Sequence, residues 1–246
     1  MKFIIAFLLT YFLFSSIVFG KIRNTEKYCL DGKYHKYSPG PESSLFSECT
    51  PWKNQSCCTE NTTISINEMN LHNFSFTHCE KLSTACEKHF KRDLCFYECS
   101  PNIGPWVVTI NMKIRQERFY KVPLCHSECD QWFEDCKFDK TCAKIWTKDF
   151  KWENGTNRCH PDSQCITIEK MYGNAKNFCE MVWDHSWEYT PDDKPCMKIW
   201  FDPKKGNPNN YVTKLKLTEL ARVSSGSKIS RIHLFLFTIS VVNAIF

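Results

Sequence analysis

Arg92-Asp93-Leu94-Cys95-Phe96-Tyr97-Glu98-Cys99-Ser100-Pro101 is the stretch around which the chain is organised. It reads as the end of a helix, at about 100° per residue. Cys95 and Cys99 share one face. Asp93 and Tyr97 share another, turned roughly 160–200° from the cysteines. Two cysteines can anchor the back of such a helix while a carboxylate and a ring look out from the front. Pro101 stops it.

The 246-residue chain carries 16 cysteines, all between Cys29 and Cys196. Ahead of them, Met1-Lys2 and an apolar run to Phe19 read as a secretory signal, residues 1–20, cleaved after Gly20. An uncleaved membrane anchor is the alternative. An even, high cysteine count behind a signal implies a disulfide framework. Cys95/Cys99 and Cys125/Cys129 also have spacing that zinc sites use, but an oxidising compartment favours disulfides and no metal. Sequons at Asn54, Asn61, Asn73 and Asn154 fit a secreted surface.

At the other end, Ser224-Ser225-Gly226-Ser227, a polar spacer and the apolar run Leu234 to Phe246 have the layout of a glycosylphosphatidylinositol (GPI) attachment signal. The run is shorter than the roughly 17–25 residues a membrane-spanning helix needs. The expected organisation is a signal peptide (1–20), one cysteine-rich domain (21–223) and a removed attachment signal (224–246), with the lipid on Ser224 or Ser225. Processing takes away Lys2, Lys228 and Arg231 and no acid, so the net charge of +5 falls to +2. That is too small to argue for nucleic acid or for an anionic membrane surface.

Residues 29–66 read mostly as loop and short strand. His72 to His78 alternates like a short strand or extended loop. Cys79, Leu82, Cys86 and Phe90 suit one helical face leading into the opening stretch. Arg115 and Arg118 would share one side of a helical turn. Taken alone they read as a solvated basic face with Glu117 as partner; holding a polar ligand is the alternative. Cys125, Cys129, Trp132 and Cys136 form a buried helical stripe, which makes Trp132 and Phe133 core residues. Trp146-Thr147-Lys148-Asp149-Phe150-Lys151-Trp152 must bury its rings or present them to a ligand. Asn174 caps a helix expected to run through Trp187, with Trp183 and Ser186 on nearly one face. Tyr211 to Val223 is a last amphipathic segment.

Catalytic patterns are weak. Gly-x-Ser-x-Gly, His-Glu-x-x-His and a phosphate-cradling glycine loop are all missing. Asp184-His185-Ser186 has triad residue types, but consecutive side chains diverge. The reading is a binding protein rather than an enzyme.

Together these residues resemble the folate receptor family, which includes the egg riboflavin carrier and the egg-surface sperm receptor Juno. The resemblance runs from about Cys29 to Val212. It rests on His35-Lys36…Pro39-Gly40-Pro41-Glu42, Cys49-Thr50-Pro51-Trp52, Cys57-Cys58, Cys95 to Asn102 with Gly104-Pro105-Trp106, Val122-Pro123-Leu124-Cys125, Cys129…Trp132…Glu134-Asp135-Cys136, and Trp200-Phe201-Asp202-Pro203…Gly206-Asn207-Pro208-Asn209. It implies an α+β fold, mostly helical with short strands, disulfide-rich, around a deep open pocket. It also implies the bridges Cys29–Cys57, Cys49–Cys95, Cys58–Cys99, Cys79–Cys165, Cys86–Cys136, Cys125–Cys196, Cys129–Cys179 and Cys142–Cys159.

For folate, the resemblance implies that Asp93 binds the pterin amino group and adjacent ring nitrogen. Tyr97 and Trp183 sandwich the pterin, Ser186 hydrogen-bonds it, and Arg115 and Arg118 contact it. Trp146, Lys148 and Trp152 lie at the mouth near the glutamate tail. No cofactor is implied beyond the ligand. The family has tryptophan at Ile114, histidine at Thr147, tryptophan at Phe150 and tyrosine at His72. Three expectations follow: a GPI-anchored receptor that internalises folate, a carrier of riboflavin or a similar vitamin (Lys170-Met171-Tyr172-Gly173-Asn174 resembles the riboflavin carrier), or a Juno-like adhesion receptor with a protein partner. Asp93 favours the first, because the riboflavin carrier and Juno lack an acid there.

Overall fold

A computed structural model describes residues 25–112 and 115–225. The signal reading (1–20), Ile114 and the spacer and apolar tail (228–246) lie outside the described residues.

The helix that carries Arg92 to Cys99 begins at Ser83. Its hydroxyl accepts from the Cys86 amide (3.3 Å) and caps the first turn. Helix α2 then runs without a break over Thr84–Cys99. It ends where Ser100 turns extended, as expected for a residue before Pro101. Cys79 and Leu82 precede the helix rather than continuing its face, as the spacing had suggested. Three disulfides leave α2: Cys86–Cys136, Cys95–Cys49 and Cys99–Cys58. They tie it to α3 (His126–Cys136), to the 3₁₀ turn Ser47–Trp52 and to the segment before α1 (Glu60–Asn67). The adjacent Cys57 and Cys58 diverge, Cys57 joining Cys29.

The remaining bridges are Cys79–Cys165, Cys125–Cys196, Cys129–Cys179 and Cys142–Cys159. All eight pairs match those implied by the family resemblance, and none of the described cysteines is free. The x3-spaced cysteines are therefore cross-links, not zinc ligands.

Among the described residues the strands are short and form four two-stranded sheets. β1 (Val107–Met112) and β2 (Arg115–Phe119) pair antiparallel, with a register shift between Thr109 and Met112. β3 (Val122–Cys125) pairs in parallel with β8 (Trp187–Thr190), so Val122 lies opposite Trp187. β4 (Lys140–Thr141) pairs with β7 (Ile166–Thr167), and β5 (Lys151–Glu153) with β6 (Thr156–Arg158). α4 (Ile168–Tyr172) ends at Gly173, whose φ of 79° suits a residue without Cβ. Asn174 then caps α5 (Ala175–Val182) through the Asn177 amide. Residues 209–225 are also helical (α6).

The core is aromatic. Trp52, Trp132, Trp146, Trp187, Phe90, Phe96, Phe119 and Phe178 are fully buried. Trp132 meets Phe90 edge-on at 5.2 Å and Phe178 at 5.2 Å, joining α2, α3 and α5.

Several local expectations are corrected. Residues 29–66 contain a 3₁₀ turn and α1, because burial of Thr62, Thr63 and Ile66 stabilises a helix whose sequence lacks strong periodicity. His72 to His78 opens in the 3₁₀ turn Leu71–Asn73 and continues as loop, the second of the two expected forms, not as a strand. Arg115 and Arg118 lie on a strand, not on a helical turn. The helix capped by Asn174 stops at Val182, since Asp184 and His185 adopt positive φ (53° and 58°). Asn54, Asn61, Asn73 and Asn154 are all exposed. Ser224 and Ser225 are exposed on α6, each bonding the Ala221 carbonyl.

Candidate ligand pocket

Asp93 and Tyr97, one turn apart on α2, open into a cavity of about 640 Å³. That size lies within the range of small-molecule sites, ~300–1,000 Å³. Arg115, Arg118, Trp146, Trp152, Trp183 and Ser186 line the same cavity. The chain thus brings together residues far apart in sequence by packing β2, the β4–β5 segment and the turn after α5 against the front of α2.

Asp93 is 3% exposed, and its Oδ1 accepts the Trp187 indole N–H at 2.8 Å. Burial pushes its pKa up to about 7, while the indole N–H groups of Trp187 and Trp183 pull the other way. Trp183 Nε1 is buried and meets no acceptor at hydrogen-bond geometry among the described residues. Asp93 is thus a buried carboxylate held by one indole N–H, with the Trp183 N–H unpartnered among the described residues.

The Tyr97 hydroxyl accepts from Arg115 Nη1 at 2.7 Å, and the guanidinium lies 5.6 Å from the ring centroid. Burial raises the Tyr97 pKa and Arg115 opposes the rise. Arg115 Nε is buried with no partner among the described residues. A buried donor without an acceptor costs about 1–3 kcal/mol, so a ligand acceptor here would be favoured.

Arg118 is engaged differently. Its Nε donates to Phe119 O (3.2 Å), Nη1 to Asp184 Oδ2 (2.8 Å), and Nη2 to Trp183 O (3.1 Å), Ser186 Oγ (3.3 Å) and the Asp184 carbonyl. The guanidinium holds the turn that carries Trp183 and Ser186. Glu117, expected as the arginines' partner, instead accepts from Tyr28 Oη and the Asp31 amide. Residues three apart on a strand begin on opposite faces. The register shift beside Arg115 re-aims the hairpin, and both guanidinium groups reach the cavity.

Trp146 belongs to the inner wall rather than the mouth. It is 1% exposed, stacks on Phe90 (4.7 Å, 8°), and donates its N–H to Thr141 Oγ1 and Ala143 O. Trp152 on β5 is half exposed, with Phe74 6.4 Å away. Asn157 pins the Phe74 segment by bonding both the amide and the carbonyl of Ser75. Lys148 does not line the cavity; its ammonium pairs with Asp184 Oδ2 at 2.6 Å.

Other wall residues were not assigned a ligand role from sequence. Glu98, 1% exposed, lies 3.2 Å from His72 Nε2 and 3.3 Å from His35 Nδ1. His72 lies at φ 59° with its ring edge-on to Tyr34 at 4.6 Å. The hydroxyl of Thr147 is buried and unpartnered among the described residues. The signal for Glu98 was its place directly after Tyr97, and for His72 and Thr147 their departures from the family pattern.

The fold and cavity define a class: a disulfide-braced binding domain with a ring-lined pocket that holds a buried acid. The model of the Folate receptor family matches residues 28–198. The chain is 40% identical to folate receptor gamma of Homo sapiens over 191 residues, 76% of this chain and 78% of the relative. It is also 40% identical to folate receptor alpha of Bos taurus, covering 76% and 79%. Riboflavin-binding protein of Dromaius novaehollandiae is 34% identical over 178 residues, covering 70% and 71%. This chain belongs to the folate receptor family.

Proposed function

We propose that this protein binds folate, as folic acid and reduced folates, at the cell surface. In this reading it is a GPI-anchored glycoprotein of the outer leaflet that carries its ligand inward by endocytosis. It is a binding protein and not an enzyme. The single observation that carries the ligand assignment is the buried carboxylate of Asp93 lining the same pocket as the Tyr97 and Trp183 rings. A pterin offers a flat ring for stacking and an amino group beside a ring N–H for a carboxylate. The identities to two folate receptors support the same choice.

The anchoring part of the proposal rests on the sequence at both ends. No helix among the described residues is long and apolar enough to cross a membrane. The four exposed asparagines, Asn54, Asn61, Asn73 and Asn154, are accessible for glycosylation.

A second reading, a riboflavin carrier, is favoured by the 34% identity to riboflavin-binding protein. Titrating the purified protein with folic acid, 5-methyltetrahydrofolate and riboflavin separates the two. Folate binding with little response to riboflavin supports the proposal. Riboflavin binding alone selects the second reading, and binding of none of the three points to a protein partner. Release of the cell-surface protein by a phosphatidylinositol-specific phospholipase tests the anchor.

A further inference from the structure

The turn after α5 carries a carboxylate that no pocket role has absorbed. Asp184 follows Trp183 directly, in the left-handed region at φ 53°. Its Oδ2 receives two cations, Arg118 Nη1 at 2.8 Å and Lys148 Nζ at 2.6 Å. Burial acts to raise its pKa, but the bonds from Lys148 and Arg118 outweigh that and hold it below the usual carboxylate range. Asp184 is therefore ionised at neutral pH. Trp183, Ser186 and Arg118 beside it line the cavity, as does Thr147 beside Lys148, while Lys148 does not.

Arg118 also donates to the Trp183 carbonyl, the Asp184 carbonyl and Ser186 Oγ, so the Asp184 carboxylate is not needed to keep it in place. Lys148 is different. Its side chain is 60% exposed, and the pair with Asp184 is its only ion pair among the described residues. An ammonium on a flexible stem, one residue from the pocket wall, is the natural partner for an anionic group at the pocket edge. Here an internal carboxylate already holds it.

The geometry points to Asp184 as a specificity-determining residue that competes with the anionic tail of a pocket ligand for Lys148. This rests on the folate reading above, in which the tail is a glutamate. The competition makes the protein discriminate less in favour of tail-bearing ligands than Lys148 alone would. A pair with one partner in solvent exerts a modest effect, so the expected change is about threefold.

Asp184→Asn removes the charge while keeping a residue type that tolerates positive φ. Dissociation constants for folic acid and for pteroic acid, which lacks the glutamate, give the readout for wild type and variant. The expected result is that Asp184→Asn raises the preference for folic acid over pteroic acid about threefold. That gain should vanish when Lys148→Gln is added. An unchanged preference, a lower one, or a gain that survives Lys148→Gln overturns the inference. If the wild-type protein binds neither compound, the folate reading has failed and this inference falls with it. A wild type that binds both with an unchanged preference in the variant sinks the inference alone.

Discussion

The Trp187 indole donates its N–H to the Asp93 carboxylate across 2.8 Å, at a point where both residues are buried. One residue comes from the middle of α2 and the other opens β8. Their contact fixes one carboxylate oxygen from behind. Neutral indole donors do not replace the hydration the acid loses, which is why burial leaves its pKa near 7.

Ligand-free stability should therefore fall as pH rises. A carboxyl whose folded pKa exceeds its unfolded value contributes stability below about pH 4, and that contribution is lost as pH rises through about 7. The full shift corresponds to an upper bound of ~4 kcal/mol. Asp93→Asn keeps an acceptor for Trp187 and cannot ionise. Urea unfolding should show the variant more stable than wild type at pH 7.4, with a clearly smaller difference at pH 5. Equal differences at the two pH values would mean that Asp93 is not desolvated.

Binding should depend on pH with the opposite sense. A pterin presents donors to Asp93, which favours the carboxylate, so the bound form has the lower pKa. Between pH 7.4 and pH 5 the free pocket takes up a proton, and folic acid affinity should drop about ten- to hundredfold. Dissociation rates measured at both pH values should differ, being faster at pH 5. Equal rates and affinities would remove Asp93 from the role of acceptor.

The two arginines should respond differently to substitution. Arg118→Gln breaks the bonds that hold the 183–186 turn and the Asp184 pair. It should lower thermal stability as well as affinity, by about 1–3 kcal/mol in unfolding free energy. Arg115→Gln removes one bond to Tyr97 and a guanidinium with an unpartnered Nε. It should weaken ligand binding with a smaller change in Tm. Calorimetry and ligand titration on both variants check the contrast.

Trp146 should behave as core. It stacks on Phe90 and gives its N–H to Thr141 and Ala143. Trp146→Ala should cost about 3–5 kcal/mol of stability. Trp152→Ala, at the half-exposed edge, should leave the Tm within a few degrees of wild type and act mainly on affinity. The reverse pattern, measured by thermal unfolding, would exchange their assignments.

The back-and-front arrangement of α2 was readable from sequence because it depends only on helical spacing. Cys95 and Cys99 do face their partners, while Asp93 and Tyr97 do open on the cavity. The Asn174 cap was equally local. The reading failed where long-range contacts decide conformation. Helix α5 ends early because positive-φ residues Asp184 and His185 carry a turn that Arg118 holds from 65 to 68 residues away. Nothing in the spacing of Arg115 and Arg118 distinguishes a strand from a helical turn, and nothing shows that one guanidinium supports the wall while the other retains a free donor. Lys148 was expected beside the ligand, but its partner Asp184 lies 36 positions further along the chain. Trp146 and Trp152 fall in one short ring-rich run, yet one is buried and the other half exposed, a difference set by packing against Phe90.

We propose that Asp93 receives the ligand's ring. This is tested most directly by titrating folic acid into the wild-type protein and into Asp93→Ala at pH 7.4. The predicted result is saturable binding by wild type and at least a tenfold weaker dissociation constant for the variant, about 1.4 kcal/mol. An Asp93→Ala protein that folds and binds folic acid as tightly as wild type would mean that Asp93 does not hold the ligand.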